Sequence, residues 1–179
     1  MKRLILNPIP LCSCACLLLS SIVSHAQTCQ TTNIEATTPT NRFTTIGVKD
    51  GEVKDTVTGL IWQRCSLGQT WQGNNNNNGG KCIGSANSYN WQQALTQAKA
   101  IGNGYRLPNI KELSSIVEQQ CYDPAINTTI FPNTASSDYW SSSPVANSSS
   151  HAWDVDFNNG HDNYSYKNNS SYVRAVRSE

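Results

Sequence analysis

Residues 152–160 read Ala-Trp-Asp-Val-Asp-Phe-Asn-Asn-Gly. From Trp153 to Phe157 apolar and acidic side chains alternate, which predicts a half-buried strand whose Trp, Val and Phe face the core while both aspartates face outward. The Asn-Asn-Gly that follows is a strong signal for a hairpin turn. A return strand is then expected from Tyr164 to about Tyr172, and a last strand over residues 173–177. The C-terminal part of the chain is therefore expected to be β.

Two helices are expected before this hairpin. Asn90-Trp91-Gln92-Gln93 has the form of a capping box, and an apolar stripe up to Ile101 follows it at helical spacing. A second box begins at Asn109, with an apolar stripe from Ile110 to Val117. Residues 43–64 predict two short strands around an Asp-Gly turn. The sequence thus predicts an α+β domain, with two helices packed on a small antiparallel sheet and a loop-rich β half. The expected core is built from large apolar side chains: Trp62, Trp91, Leu107, Trp140, Trp153 and Phe157.

The N-terminus has the plan of a secretory signal. Lys2 and Arg3 precede a mostly apolar run, and Ser24-His25-Ala26 places small residues where a signal peptidase reads. A transmembrane anchor is a weaker alternative, because prolines and cysteines interrupt the run and a span needs roughly 20 apolar residues. A lipoprotein signal is weaker still, because the apolar run follows the cysteines. The expected organisation is a signal peptide over residues 1–26, an N-terminal arm over 27–42 and one domain over 43–179.

Cysteine usage agrees with export. Removing the signal leaves Cys29, Cys65, Cys82 and Cys121 in an oxidising compartment, so a secreted, periplasmic or cell-surface protein with no remaining transmembrane segment is expected. Of the possible pairings we favour Cys65–Cys82, which would close an Asn-rich loop that has no core of its own, together with Cys29–Cys121. A zinc site is the weaker alternative, because no cysteine pair has metal-ligand spacing. We expect no metal and no cofactor.

The charge balance argues against nucleic acid as a partner. Loss of Lys2 and Arg3 leaves 11 of the 13 basic residues against 12 acidic ones, and no basic run is present. Asn, Ser, Thr, Gln, Tyr and Trp supply the polarity instead. Such side chains offer neutral hydrogen bonds and stacking surfaces, which suits an exposed recognition surface.

Five ordered segments together resemble the Lcl C-terminal domain family, which occurs in bacterial surface and exported proteins and was first named from a collagen-like adhesin. They span roughly residues 50–177. The segments are Thr58-Gly59-Leu60-Ile61-Trp62-Gln63, Trp91 to Leu95, Tyr105-Arg106-Leu107-Pro108 with Lys111-Glu112-Leu113, Tyr139-Trp140-Ser141-Ser142, and Val173-Arg174-Ala175-Val176-Arg177. Each is weak alone, but the ordered set is specific.

The order of the expected elements also resembles C-type lectin-like domains. That fold implies a ligand face on the last hairpins. The sugar-binding calcium motifs of such lectins, Glu-Pro-Asn or Gln-Pro-Asp with Trp-Asn-Asp, are not in this sequence. The family's adhesin is associated with sulfated glycosaminoglycans through a basic surface, and a mature charge near −1 departs from that property. The polysaccharide specificity is therefore not carried over, although the trimeric state of the adhesin suggests a homotrimer.

The tail resembles the variable segments of proteins diversified by retroelements. Between Asn158 and Tyr172 every residue except Gly160 and Lys167 is Asn, Ser, Tyr, His or Asp. In the Asn codon AAC, changing the first adenine gives His, Asp or Tyr and changing the second can give Ser, and such adenine substitutions are what these elements produce. The alternative is a fixed polar binding loop, since Asn-rich segments also occur elsewhere in this chain.

Either alternative predicts a binding face with the composition of an antibody paratope, which would take a protein or glycan ligand on another cell or surface. The candidate ligand-binding residues are the outward positions between Asn147 and Tyr172: Asn147, Asp154, Asp156, Asn158, Asn159, His161, Asp162, Asn163, Tyr164, Tyr166, Asn168, Asn169, Ser171 and Tyr172.

Two other classes of function compete with this one. A structural or assembly subunit without a variable ligand is one of them. The other is catalysis, since formylglycine-generating enzymes have a pattern similar to Arg106-Leu107-Pro108 and Glu112. Those enzymes need a reactive cysteine pair, whereas the cysteines here are expected to be structural, so we expect no enzyme.

Overall fold

The computed structural model describes residues 26–46, 51–73 and 80–179. Residues 1–25 of the expected signal, Asp50 of the first expected turn and the Asn run from 74 to 78 lie outside the described residues. Within the described part of the chain, no helix is both long and apolar enough to span a membrane.

Short strands dominate the described chain. The strands are β1 (Thr28–Cys29), β2 (Phe43–Ile46), β3 (Glu52–Asp55), β4 (Ile61–Gln63), β5 (Thr70–Gln72), β6 (Lys81–Ile83), β7 (Cys121–Tyr122), β8 (Asp138–Val145), β9 (Ser148–Asp156), β10 (His161–Tyr166) and β11 (Val176–Arg177). The helices are α1 (Trp91–Ala100) and α2 (Ile110–Ser114), and a 3₁₀ turn covers Thr40–Arg42. The strands form four small sheets, with the orders β1-β7, β10-β9-β8, β11-β4-β3-β2 and β5-β6.

The expected α+β, C-type lectin-like fold with two packed helices is wrong. The described chain is mainly β, and α2 has only five residues. Its apolar stripe continues through Val117, but the helix ends at Ser114, where the Ser115 hydroxyl competes for the carbonyl of Glu112. Val117 then forms an isolated β-bridge with Ile126.

Both expected helix starts are confirmed. The Asn90 and Asn109 side chains accept from the backbone N–H groups of Gln93 and Glu112, and the side chains of Gln93 and Glu112 accept from the cap amides in return. Glu112 also binds Arg106 through two contacts of 2.7 Å. Each helix is therefore fixed at its N-terminus by side chains close in sequence.

The last strand is shorter than expected and lies in the four-stranded sheet. β11 pairs with β4, matching Val176 with Trp62, so residues far apart in sequence become neighbours. The preceding Arg174 is fully buried, donates to the carbonyls of Gln63 and Arg64 and to Thr134 Oγ1, and stacks over the Phe131 ring at 4.8 Å. Arg174 therefore links three separate parts of the chain without a carboxylate partner among the described residues.

The core consists of two clusters, one beside α2 and the other beside α1. Four of the six expected core residues are buried: Trp62, Leu107, Trp140 and Phe157. Trp91 and Trp153 are only half-buried. Trp91 lies at the exposed start of α1, where its Nε1 donates to the carbonyl of Ser141.

The structure has the favoured cysteine pairing, with disulfides Cys29–Cys121 and Cys65–Cys82. The first joins β1 of the expected arm to β7. A second attachment of the arm is Glu118, whose carboxylate accepts from the backbone N–H groups of Thr37 and Thr38. The N-terminal arm is therefore part of the folded unit.

Candidate ligand-binding surface

The expected hairpin is present as β9 and β10. β9 lies between β8 and β10, and β10 forms an edge of this three-stranded sheet. The return strand begins at His161 and ends at Tyr166, so it is earlier and shorter than expected. Gly160 closes the turn with φ of +80°, and a Cβ at this position would lie 2.6 Å from Val117 Cγ1. The turn therefore needs glycine for its backbone conformation and for its fit against the core.

Four aromatic side chains share one face of the hairpin. Trp153 pairs with Tyr164 and His151 pairs with Tyr166 across the ladder. The His151 ring centroid is 4.1 Å from that of Tyr166, and the Trp153 and Tyr164 centroids are 5.7 Å apart at an interplanar angle of 78°. Tyr164 and Tyr166 are 55% and 56% exposed. We call His151, Trp153, Tyr164 and Tyr166 the aromatic face.

Serine hydroxyls border the aromatic face. Ser148 Oγ is 2.7 Å and Ser150 Oγ 3.1 Å from His151 Nδ1, so hydrogen bonds hold the imidazole in place. On the same side of the sheet, Ser114 Oγ at the end of α2 donates to Asp162 Oδ1 at 2.5 Å. The surface thus offers ring faces beside neutral hydrogen-bonding groups. It can bury apolar area and satisfy polar groups of a ligand at the same time.

Lys167, which the sequence analysis did not select, attaches the end of the hairpin to α1. Its Nζ lies 4.4 Å from the Trp91 ring centroid and donates to the carbonyl of Ser149. Its own carbonyl accepts from the N–H of Trp91. A cation over an indole ring, combined with two hydrogen bonds, holds this end of β10 in position.

The sequence analysis expected Asp154 to face outward, and the structure contradicts this. It is fully buried, pairs across the ladder with Trp140, and neither carboxylate oxygen has a hydrogen-bond partner among the described residues. Burial raises the pKa of Asp154 to about 6; the nearby Ser165 hydroxyl opposes the rise, and the charges of Asp138 and Asp156 add to it. The pKa of Asp138 is raised by burial and by the charge of Asp156.

The outward position predicted for Asp154 is wrong because core clusters pack on both faces of β9. Val155 and Phe157 face the core cluster beside α2, as predicted, while Ala152 on the other side belongs to the cluster beside α1. Both faces of β9 are therefore covered over this stretch. Trp153 is half-buried and packs against Tyr164 in the aromatic face instead of in the core.

The other predicted ligand-binding residues divide by exposure. Asp156 and Tyr172 are half-buried, and Ser171 is buried and forms a backbone bridge with Tyr89. The Tyr172 ring is 5.5 Å from the buried Tyr139 ring. Ten of the predicted residues are exposed: Asn147, Asn158, Asn159, His161, Asp162, Asn163, Tyr164, Tyr166, Asn168 and Asn169. The exposed residues surround the turn and the outer strand of the hairpin.

Two surface clefts lie away from the aromatic face. One of about 650 Å³ lies beside the C-terminal end of α1, with Leu95, Tyr105 and Leu107 among its lining residues. The other, of about 530 Å³, is lined by Asp123, Pro124, Thr134, Ser136 and Asn158. Among the described residues, no three His, Cys, Asp or Glu side chains are grouped to hold a metal ion.

Comparison with known proteins identifies one matching family. The model of the Lcl C-terminal domain matches residues 51–177. The match includes α1, α2 and the whole β9–β10 hairpin, and it begins after β2. No curated protein matches the chain at a significant level.

Proposed function

Because the chain belongs to the Lcl C-terminal domain family, we propose that it is an exported or surface-displayed ligand-binding module whose binding surface is the aromatic face. The exposed turn at the end of the hairpin extends this surface. The observation that carries the proposal is the exposure of Tyr164 and Tyr166, whose rings pack against those of Trp153 and His151.

Physical chemistry supports a binding role for such a face. Tyrosine buries a large amphipathic area and loses little rotamer entropy, so it contributes affinity at low cost. The hairpin below it is held by Gly160 at one end and by Lys167 on Trp91 at the other, which reduces the ordering needed on binding. The four disulfide-bonded cysteines fit an oxidising compartment outside the cytoplasm.

We propose a protein or glycan ligand on another surface, and no catalysis. A formylglycine-type reaction needs a reactive cysteine pair, whereas Cys29, Cys65, Cys82 and Cys121 are all in disulfides. The Arg106–Glu112 pair, which suggested that alternative, completes the capping box at the start of α2. Its role is accounted for by helix structure alone.

The experiment is a binding comparison between two tyrosine variants. The probes are an immobilised bacterial surface-protein extract and an array of neutral and anionic glycans. The double variant Tyr164→Ala/Tyr166→Ala should lose at least about tenfold in retention on whichever probe the wild type binds. The matched control is Tyr122→Ala, which removes a ring 47% exposed on β7, outside the aromatic face.

Unchanged retention of the double variant, with unfolding temperature preserved, would show that the aromatic face is not the binding surface. Wild-type protein that binds neither probe but forms a defined oligomer would favour the structural or assembly role instead.

We further propose that a retroelement diversifies the hairpin. The support is compositional: the exposed positions from Asn158 to Asn169 are almost all Asn, His, Asp or Tyr, while buried Val155 and Phe157 are not. The coding DNA provides the test. An imperfect repeat of the 3′ end that differs only at adenines, near a reverse transcriptase gene, is expected. A tail without AAC-derived codons and without such a neighbour would refute this part of the proposal.

A further inference from the structure

β10 carries along its outer side a row of backbone groups that pair with no strand of the described chain. β9 pairs with its inner side only, and no other strand of the described chain lies beyond it. The ladder continues one step further with the N–H of Lys167 donating to the carbonyl of Ser150 at 2.8 Å. Hydrogen-bonded pairs alternate in an antiparallel ladder, so the amide and carbonyl groups of Asp162, Tyr164 and Tyr166 point away from β9.

This edge lacks several of the features that protect an edge strand against pairing. Residues 161–166 contain no proline and no lysine, and the six pairs with β9 run without a bulge. Two of the outward backbone groups form hydrogen bonds with residues close in sequence. Asn163 Oδ1 accepts from the N–H of Tyr164 at 2.9 Å, and the N–H of Asn169 donates to the carbonyl of Tyr166 at 2.8 Å.

We infer that β10 binds its partner by strand addition, with an extended polypeptide segment of a protein ligand pairing along Asp162, Tyr164 and Tyr166. This inference rests on the proposed function and names the ligand class. Main-chain hydrogen bonds would supply affinity, and side chains of the added strand would contact Tyr164 and Tyr166 on the neighbouring face.

The spacing of the edge favours a polypeptide over a glycan. Outward amide and carbonyl groups recur every second residue, at about 6.8 Å along a strand, which is the repeat of another polypeptide strand. A glycan has no matching series of donors and acceptors. Main-chain pairing is also insensitive to side-chain identity, so side chains on this hairpin can change while the mode of binding stays the same.

The first test uses linear peptides of 12 residues, selected from a displayed library against the exported protein. Each selected peptide is then synthesised with N-methyl groups on one or the other alternating set of amides. Methylation of the set that faces β10 should weaken binding at least about tenfold, while the other set stays within about twofold. Equal effects of the two sets, or no enrichment of any linear peptide, would overturn strand addition.

The second test exploits the Asn163 side chain. Asn163→Ala removes the group that occupies the Tyr164 amide, so strand addition predicts tighter peptide binding, by about threefold. Asn168→Ala is the matched control, because it removes an exposed asparagine outside β10. Weaker binding of Asn163→Ala would indicate recognition through side chains and contradict the inference.

The two levels of the proposal fail in different ways. If Tyr164→Ala/Tyr166→Ala abolishes binding but N-methylation has no positional effect, the binding surface is correct and strand addition is wrong. If neither change weakens binding, the binding surface itself is wrong. Self-association of the purified protein through β10, with no peptide enriched, would assign the edge to a second copy and also overturn the inference.

Discussion

Replacement of Asp154 by asparagine is expected to stabilise the protein at neutral pH and to flatten the dependence of its stability on pH. The carboxyl is fully buried without a hydrogen-bond partner among the described residues, beside Asp138 and Asp156. Its pKa is raised from 3.8 to about 6. Each unit of pKa difference corresponds to about 1.4 kcal/mol, so ionising Asp154 costs the folded state up to about 3 kcal/mol.

The sign follows from proton binding. Between pH 3.8 and 6 the folded state holds the proton of Asp154 and the unfolded state does not, so stability falls as pH rises through this range. The raised pKa of Asp138 acts in the same direction. An asparagine has no charge to lose, so the variant should gain about 1–3 kcal/mol at pH 7, because the unmet hydrogen bonds of a buried amide offset part of the gain.

The assay is urea unfolding followed by tryptophan fluorescence, at several pH values from 3.5 to 8. The gain of Asp154→Asn over wild type should be largest above pH 6 and small near pH 4. Asp162→Asn is the control, because that carboxyl is exposed and its contact with Ser114 can persist in the amide. If Asp154→Asn keeps the wild-type slope, or is less stable than wild type at pH 7, the reasoning about the buried carboxyl is refuted.

Three further variants test the framework that supports the hairpin. Gly160→Ala should lower the free energy of unfolding by about 2–3 kcal/mol, because alanine is strained at φ of +80° and its Cβ would lie 2.6 Å from Val117 Cγ1. A decrease in unfolding temperature of less than about 3 °C would contradict this prediction. Lys167→Ala removes the cation from the Trp91 ring, so exchange of the Ser165 amide, which pairs with Ala152 of β9, should become about fivefold faster, and unchanged exchange would argue against the attachment. Arg174→Lys should cost about 2–4 kcal/mol in urea unfolding, because one ammonium cannot replace the guanidinium contacts to two carbonyls and a hydroxyl; near-wild-type stability would show that the charge alone suffices.

Local features of the fold were predictable from the sequence. The capping boxes at Asn90 and Asn109 depend on residues three positions apart, so their chemistry can be read directly. The hairpin turn before Gly160 is equally local. The cysteine pairing was also found, because closing the Asn-rich loop needs only chain connectivity.

Features that depend on tertiary packing were not predictable. The alternation around Asp154 fixes which side chains share a face, but not whether one face or both are covered. The end of α2 depends on the Ser115 hydroxyl competing for the Glu112 carbonyl, and apolar spacing gives no sign of this. For the binding surface, Tyr164 and Tyr166 were selected by composition, whereas Trp153 was assigned to the core.

The central claim is that the protein binds through the aromatic face of the β9–β10 hairpin. Oxidative footprinting reports the exposure of individual aromatic side chains. Comparing the free protein with the protein bound to whichever probe retains it tests that claim directly. We predict protection of Tyr164, Tyr166 and Trp153 on binding, with Tyr122 unchanged. Protection of Tyr122 while Tyr164 and Tyr166 stay fully reactive would contradict the claim.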